Sequence, residues 1–152
     1  MPTPSCGDAP RWRGLKDGTQ CPFCVDGPRD TVATLSASVV TADASVNVKG
    51  YCCIVARDHA TELHEMDSAT ACRFMEDVRR VGRLVQEITG AIKLNYEIHG
   101  NVVPHVHMHI IPRYPGDAIE RTGEPFARLD VSPFGEGEFE AFRERLTRAL
   151  TA

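Results

Sequence analysis

The chain has 152 residues, 42% of them hydrophobic and 25% charged, with a formal net charge of −4. That length and balance suit one soluble domain able to bury a core of its own. The negative balance excludes a general electrostatic attraction to nucleic acid or to an anionic membrane surface, so any phosphate it binds must be held locally.

Residues 1–20 mix Pro, Gly and charged side chains without an apolar h-region. They read as neither a signal peptide nor a membrane anchor, and a cytoplasmic location is expected. This segment is expected to be a flexible or loosely docked arm with Trp12 as its only large apolar anchor, and residues 21–152 a single domain. There is no internal repeat or low-complexity tract. Strand signals follow at Thr31 to Leu35, Ser38 to Thr41, Gly50 to Ala56, Ala91 to Ile98 and His105 to Ile111. Pro104 and Pro112 bracket the last of them, consistent with its two ends.

Between the third and fourth strands the spacing predicts one long helix from about Ser68 to Thr89. Phe74, Val78, Val81, Val85 and Ile88 recur on one stripe, Asp67 suits the N-cap and Gly90 the position after the C-terminus. A second helix is predicted from about Glu138 to Ala149, with Phe139, Phe142, Leu146 and Leu150 on one face. Both stripes read as core packing in preference to a cofactor or partner surface. Strands interrupted by one long helix and closed by a terminal helix give an α+β class, a five-stranded antiparallel sheet with helices packed on it.

The most informative segment is His105-Val106-His107-Met108-His109-Ile110-Ile111, with three of the chain's six histidines in five residues. On a strand the imidazoles turn one way and Val106, Met108 and Ile110 the other. A half-buried strand whose solvent face happens to carry histidine is one reading. A metal site is another, but the outer two lie about 13 Å apart at ~3.3 Å per residue, too far for all three to share an ion. At least one then has other work, and nucleophilic or acid–base chemistry suits a side chain that titrates near neutrality.

Six cysteines could form three disulfides, but without a secretory signal reduced thiols or metal ligation are expected. Cys21-Pro22-Phe23-Cys24 has the spacing of half a tetrahedral zinc site; redox pairs and buried thiols share that spacing. Cys52 and Cys53 are adjacent and must face opposite sides of their strand, which argues against a joint ligand role. Cys6 and Cys72 carry no readable signal.

The histidine segment resembles the signature of the histidine triad nucleotide hydrolases and transferases. Upstream, Gly50-Tyr51-Cys52-Cys53-Ile54-Val55-Ala56-Arg57-Asp58-His59 is similar to that family's glycine-led central strand. Downstream, Ile111-Pro112-Arg113-Tyr114-Pro115-Gly116-Asp117 is similar to the exit segment of its fragile-histidine-triad branch, so the resemblance spans about residues 20 to 118. It implies the triad fold, a homodimer, and a nucleotide substrate. It also implies His107 as the nucleophile, His109 as a partner of the α-phosphate or bridging oxygen, and His105 as an orienting or strand-anchoring residue. Asp43 corresponds to a ribose contact, Asn95 to a ribose or phosphate contact, Asn101 to an α-phosphate contact, and Phe23 to a wall of the base pocket. The family's small hydroxyl residue after the loop amide is Val102 here, and its histidine after the central glycine is Tyr51.

Some bacterial members and the related galactose-1-phosphate uridylyltransferases complete a zinc site from a Cys pair, a histidine after the central strand and the first triad histidine. By that resemblance the ligands are Cys21, Cys24, His59 and His105, with His64 or His99 as substitutes. A closed shell of this kind would be structural and would not activate water. The implied activity is cleavage at the α-phosphate of dinucleoside polyphosphates or related nucleotides through a nucleotidyl-histidine. The alternatives are a nucleoside phosphoramidase, a nucleotidyltransferase or phosphorylase, and a nucleotide-binding regulator without turnover.

Overall fold

The computed structural model describes residues 9–117 and 133–152; Cys6 lies outside them. Helix α1 (Ala9–Lys16) and the single turn α2 (Pro22–Val25) precede strands β1 (Thr31–Thr34), β2 (Ser38–Thr41) and β3 (Cys52–Ala56). A 3-10 turn (Leu63–Glu65) leads to the long helix α3 (Ser68–Thr89), then β4 (Lys93–Ile98), β5 (His107–Arg113) and the C-terminal helix α4 (Glu138–Thr151). The five strands form one antiparallel sheet in the order β1-β2-β3-β5-β4.

α3 begins where the Asp67 carboxylate accepts the backbone N–H of Thr70 at 3.0 Å and ends at Gly90, whose φ of 70° places it in the left-handed region. Its buried stripe of Phe74, Val78, Val81 and Val85 packs on the sheet with Phe142, Leu146 and Leu150 of α4. Full burial of one such side chain is worth about 1.5–3 kcal/mol, so packing outweighs helix propensity in holding α3. On the same side, the buried Asp77 accepts the N–H of Ala37 at 2.9 Å and the hydroxyl of Ser38 at 2.8 Å, clasping the β1–β2 turn.

The opposite face of the sheet carries a smaller cluster of Val48, Tyr51, Cys53, Val55 and Ile111, with Phe23 packed against it. β3 and β5 pair Cys53 with His109 and Val55 with His107, which places those four on this face; Ile54 and Met108 face the helices. Gly50 enters β3 with φ 78°, and a Cβ there would meet the Thr89 methyl at 2.6 Å, so both conformation and space require glycine.

Three expectations are adjusted. β5 starts at His107, two residues later than the alternation predicts, because His105 turns away from the ladder toward the Cys pair. Pro112 is inside the strand, paired with Leu94: it lies beyond the end of β3, where β5 has a neighbour on one side only and a missing N–H is tolerated. The segment read as an arm contains α1, with Leu15 buried and the Gln20 N–H bonded to the Gly14 carbonyl at 2.8 Å. A helix of eight residues held by such tertiary contacts leaves no periodic apolar stripe to read.

Candidate active site and metal-ligand group

Pro104 delivers the chain to His105, which is buried with its two ring nitrogens committed in opposite directions. Nε2 lies 2.7 Å from the Ala56 carbonyl, and since a carbonyl can only accept, Nε2 carries the proton. Nδ1 then presents a lone pair 3.4 Å from Cys21 Sγ, 3.6 Å from Cys24 Sγ and 3.1 Å from His59 Nδ1. His59 repeats the device: its Nε2 donates to the Lys16 carbonyl at 2.8 Å, and its Nδ1 stands 3.3 Å from Cys24 Sγ.

The four ligand atoms all lie within 4.8 Å of one another. Spacings of 3.1 to 3.6 Å are close to the edges of a tetrahedron with metal–ligand bonds of about 2.0–2.3 Å. Two imidazoles held by carbonyls in the tautomer that frees Nδ1, together with two thiols, form a donor set that fits a divalent, thiolate-preferring cation. Among the described residues this is the one group with such spacing. His64 is exposed on the 3-10 turn and His99 lies at the end of β4; neither belongs to the group, so the substitutes are not needed.

His107 follows two residues later, buried on the open face of the sheet. Its Nδ1 donates to the His105 carbonyl at 2.5 Å, which leaves Nε2 unprotonated as the potential nucleophile. Burial lowers its pKa, opposed by that hydrogen bond and assisted by His99, so the ring favours the neutral, nucleophilic form. Phe23 meets the rings of His105 and His107 edge-on at 5.5 Å, standing between the ligand group and the nucleophile.

His109 is 5.0 Å from His107 ring to ring. Burial, with His107 and His99 close by, pushes its pKa down to about 4. The Tyr51 hydroxyl lies 2.8 Å from His109 Nδ1, with the two rings stacked at 5.9 Å. Burial holds the Tyr51 phenol above its ordinary range, so it keeps its proton. Cys53 shares this face, and burial pushes its thiol up to about 12, which removes it as a competing nucleophile.

A cavity of about 410 Å³ opens over the face, lined by Phe23, Asp43, Tyr51, Cys53, His107 and His109 among others. A second of about 280 Å³ is lined by His99, Asn101, Val102 and Val103 and by the same two histidines. His107 and His109 therefore stand between two chambers. Asp43 is half-buried, its Oδ1 accepting the Ser45 N–H and hydroxyl, both at 2.7 Å. Phe23, Asp43 and Asn101 are thus brought to the histidines; Asn95 pairs with Ile111 on β4 and lines neither chamber.

Tyr51, Cys53 and Glu97 are neighbours of the site that the sequence reading did not assign to it, and His99, read there as a substitute metal ligand, lines the smaller chamber instead. For the first two the signal was available: Tyr51, Cys53 and Val55 alternate toward the histidine face. Glu97 near the end of β4 and His99 just past it are two residues apart, and His99 Nε2 lies 2.8 Å from Glu97 Oε2. The exit segment folds on itself: Arg113 meets Asp117 in two bonds of 2.7 and 2.9 Å, a bidentate clamp at the end of β5.

A histidine-bearing strand of a five-stranded antiparallel sheet thus stands between two chambers, and the comparisons give the family of this arrangement. Residues 26–116 match the HIT domain, and the chain belongs to that family. It is 29% identical over 105 residues to an uncharacterized HIT-like protein of Methanocaldococcus jannaschii, covering 64% of this chain and 81% of that one. Over 98 residues it is 28% identical to adenosine 5′-monophosphoramidase of Schizosaccharomyces pombe, covering 61% and 74%. Among solved structures it resembles a histidine triad protein of Bradyrhizobium japonicum, with TM-score 0.68, 30% identity and coverage of 79% and 89%. A zinc-bound histidine triad protein of Mycobacterium smegmatis shares the fold, with TM-score 0.63 at 20% identity over 86% and 95% of the two chains.

Proposed function

We propose that this chain is a hydrolase that cleaves the bond between a nucleotide α-phosphorus and its leaving group through a nucleotidyl-His107 intermediate. The observation that carries the reading is the His107 tautomer: Nδ1 is tied to the His105 carbonyl at 2.5 Å, so Nε2 is the free lone pair in the chamber. Attack by that nitrogen on phosphorus replaces one difficult displacement by two easier ones. The nucleoside takes the larger chamber, against Phe23 and with its ribose hydroxyls on Asp43. Asn101 and His109 contact the α-phosphate, and Tyr51 steadies His109.

The leaving group takes the smaller chamber. Its valine lining and the phosphoramidase activity of the fission yeast relative support an amine leaving group and a P–N bond. The second reading, a dinucleoside polyphosphate, rests on the exit segment Pro112 to Asp117. Parallel turnover of adenosine phosphoramidate and a diadenosine polyphosphate separates them. Rapid quenching and mass spectrometry test what they share: a nucleotidyl adduct mapping to His107 is expected, and its absence during steady turnover overturns the mechanism.

Zinc is the proposed occupant of Cys21, Cys24, His59 and His105. When bound it supplies a rigid cross-link and no open position for water. The chain's own contribution is orientation: the His105 carbonyl that accepts from His107 belongs to the residue whose ring is a ligand. A homodimer formed along β4 completes the proposal, supported by the exposed Tyr96 and Ile98 on that edge strand and Ile92 just before it.

A further inference from the structure

We infer that His99, held by Glu97, is the proton carrier for the leaving group, a fourth histidine of the site outside the triad. The inference rests on the hydrolase reading above and adds to it the group that protonates the departing atom.

Three observations meet at His99. It lines the smaller chamber together with His107 and His109, so it is on the leaving-group side of the nucleophile. Its ring lies 5.6 Å from that of His109. Its Nε2 is 2.8 Å from the Glu97 carboxylate, which leaves Nδ1 as the nitrogen that Glu97 does not engage. Glu97 is itself fixed by the sheet, directly opposite His109 in the β4–β5 register. A carboxylate on one nitrogen of an imidazole sets the tautomer and stabilises the imidazolium, which is what a general acid requires.

The triad histidines that share this chamber have other partners: His107 is the nucleophile, and the Nδ1 of His109 is engaged by the Tyr51 hydroxyl at 2.8 Å. The charged and titratable groups facing His99 are Glu97 near the end of β4, His107 and His109 from β5, and Lys16 and Glu62 across a cavity on its other side. Glu97 is the one in hydrogen-bond contact.

The steps balance. His107 Nε2 forms a bond to the α-phosphorus as the phosphorus–nitrogen bond breaks. The leaving nitrogen takes that electron pair and a proton from the His99 imidazolium, departing as a neutral amine. Water then attacks phosphorus, the bond to His107 Nε2 breaks with its electron pair returning to the ring, and neutral His99 accepts the proton from water. The products are the nucleoside monophosphate and the amine, with both histidines restored.

The test uses the metal-loaded full chain and two adenosine 5′ substrates: a phosphoramidate, whose amine must be protonated to leave, and a 4-nitrophenyl phosphate ester, whose anion leaves unaided. His99→Gln should lower kcat/KM for the phosphoramidate by about 10²–10⁴-fold, the usual yield of general acid catalysis. The loss for the aryl ester should be smaller by about two orders of magnitude. Glu97→Gln, which keeps the hydrogen bond and removes the charge, should shift the basic limb of the phosphoramidate pH profile to lower pH. Equal losses on both substrates, or an unmoved basic limb, would overturn the assignment while a His107 adduct still upholds the hydrolase reading. Wild-type protein that turns over neither substrate and forms no adduct overturns both.

Discussion

His107 and His109 are the same residue type two positions apart, and their surroundings divide the work between them. A carbonyl on His107 Nδ1 frees Nε2 for attack, so His107→Ala should abolish turnover and leave nucleotide affinity nearly unchanged; equilibrium binding beside a steady-state assay checks it. Asp43, held by Ser45, presents a pre-oriented carboxylate to the larger chamber, where the proposed ribose contact lies. Asp43→Ala should weaken binding by about 1.5–3 kcal/mol, and the discrimination against 2′-deoxy nucleotides should shrink with it, as measured by titration of both nucleotides into both proteins. His109 carries a pH consequence. Its ring binds a proton near 6.5 when unfolded and near 4 when folded, so its contribution to stability is complete above pH 6.5 and is lost as pH falls toward 4. Replacing it by Gln should therefore flatten the acid side of the stability curve by up to ~1.4 kcal/mol per pH unit, read from urea unfolding of both proteins across that window.

At the scale of elements, the ligand group joins α2, the end of β3 and the approach to β5, with α1 backing it through the Lys16 carbonyl. Because ligand thiols are deprotonated on binding and the four donors converge only when the chain is folded, affinity for the proposed zinc would add to stability and weaken as pH falls. Cys24→Ser should lower metal content, measured by elemental analysis, and lower Tm by roughly 10 °C, at about 2–4 °C per kcal/mol for a chain of this size. Catalysis should slow through a loosened His105. The long helix, the strands and the histidine face were legible in the sequence because each is periodic: the α3 stripe, the Asp67 cap and the Gly90 stop are local signals. Cys21 and Cys24 were legible as a pair, but His59 and His105 joined them only through a resemblance, since convergence across 84 residues is a tertiary fact. α1 and the inward turn of His105 were illegible for the same reason, and the Glu97–His99 pair, local in sequence, was illegible as part of the site because strand register sets its place opposite His109.

Over the whole molecule the two sheet edges are treated differently. β1 is covered by α4, whose Arg143 donates to the carbonyls of Asp30, Thr31 and Ala42. β4 leaves Tyr96 and Ile98 exposed, with Ile92 exposed just before it. Unprotected apolar edge strands invite pairing with another chain. The expected outcome is a dimer by sedimentation, converted to monomer by Ile98→Lys, while Thr147→Lys on α4 leaves the dimer intact.

Two fastenings two residues apart, the His105 ring and the His107 ring, fix both the rotation and the travel of β5. Side chains on a strand alternate, so one residue gained or lost between them would turn the nucleophile into the helix layer. The stretch from His105 to Arg113 is therefore closed to insertions and deletions, whereas a change of length in the Gly100–Val103 loop before it would reshape the smaller chamber and leave the register of β5 intact. Within those nine residues the spacing, more than the identity of the apolar side chains, is what keeps the nucleophile on the open face.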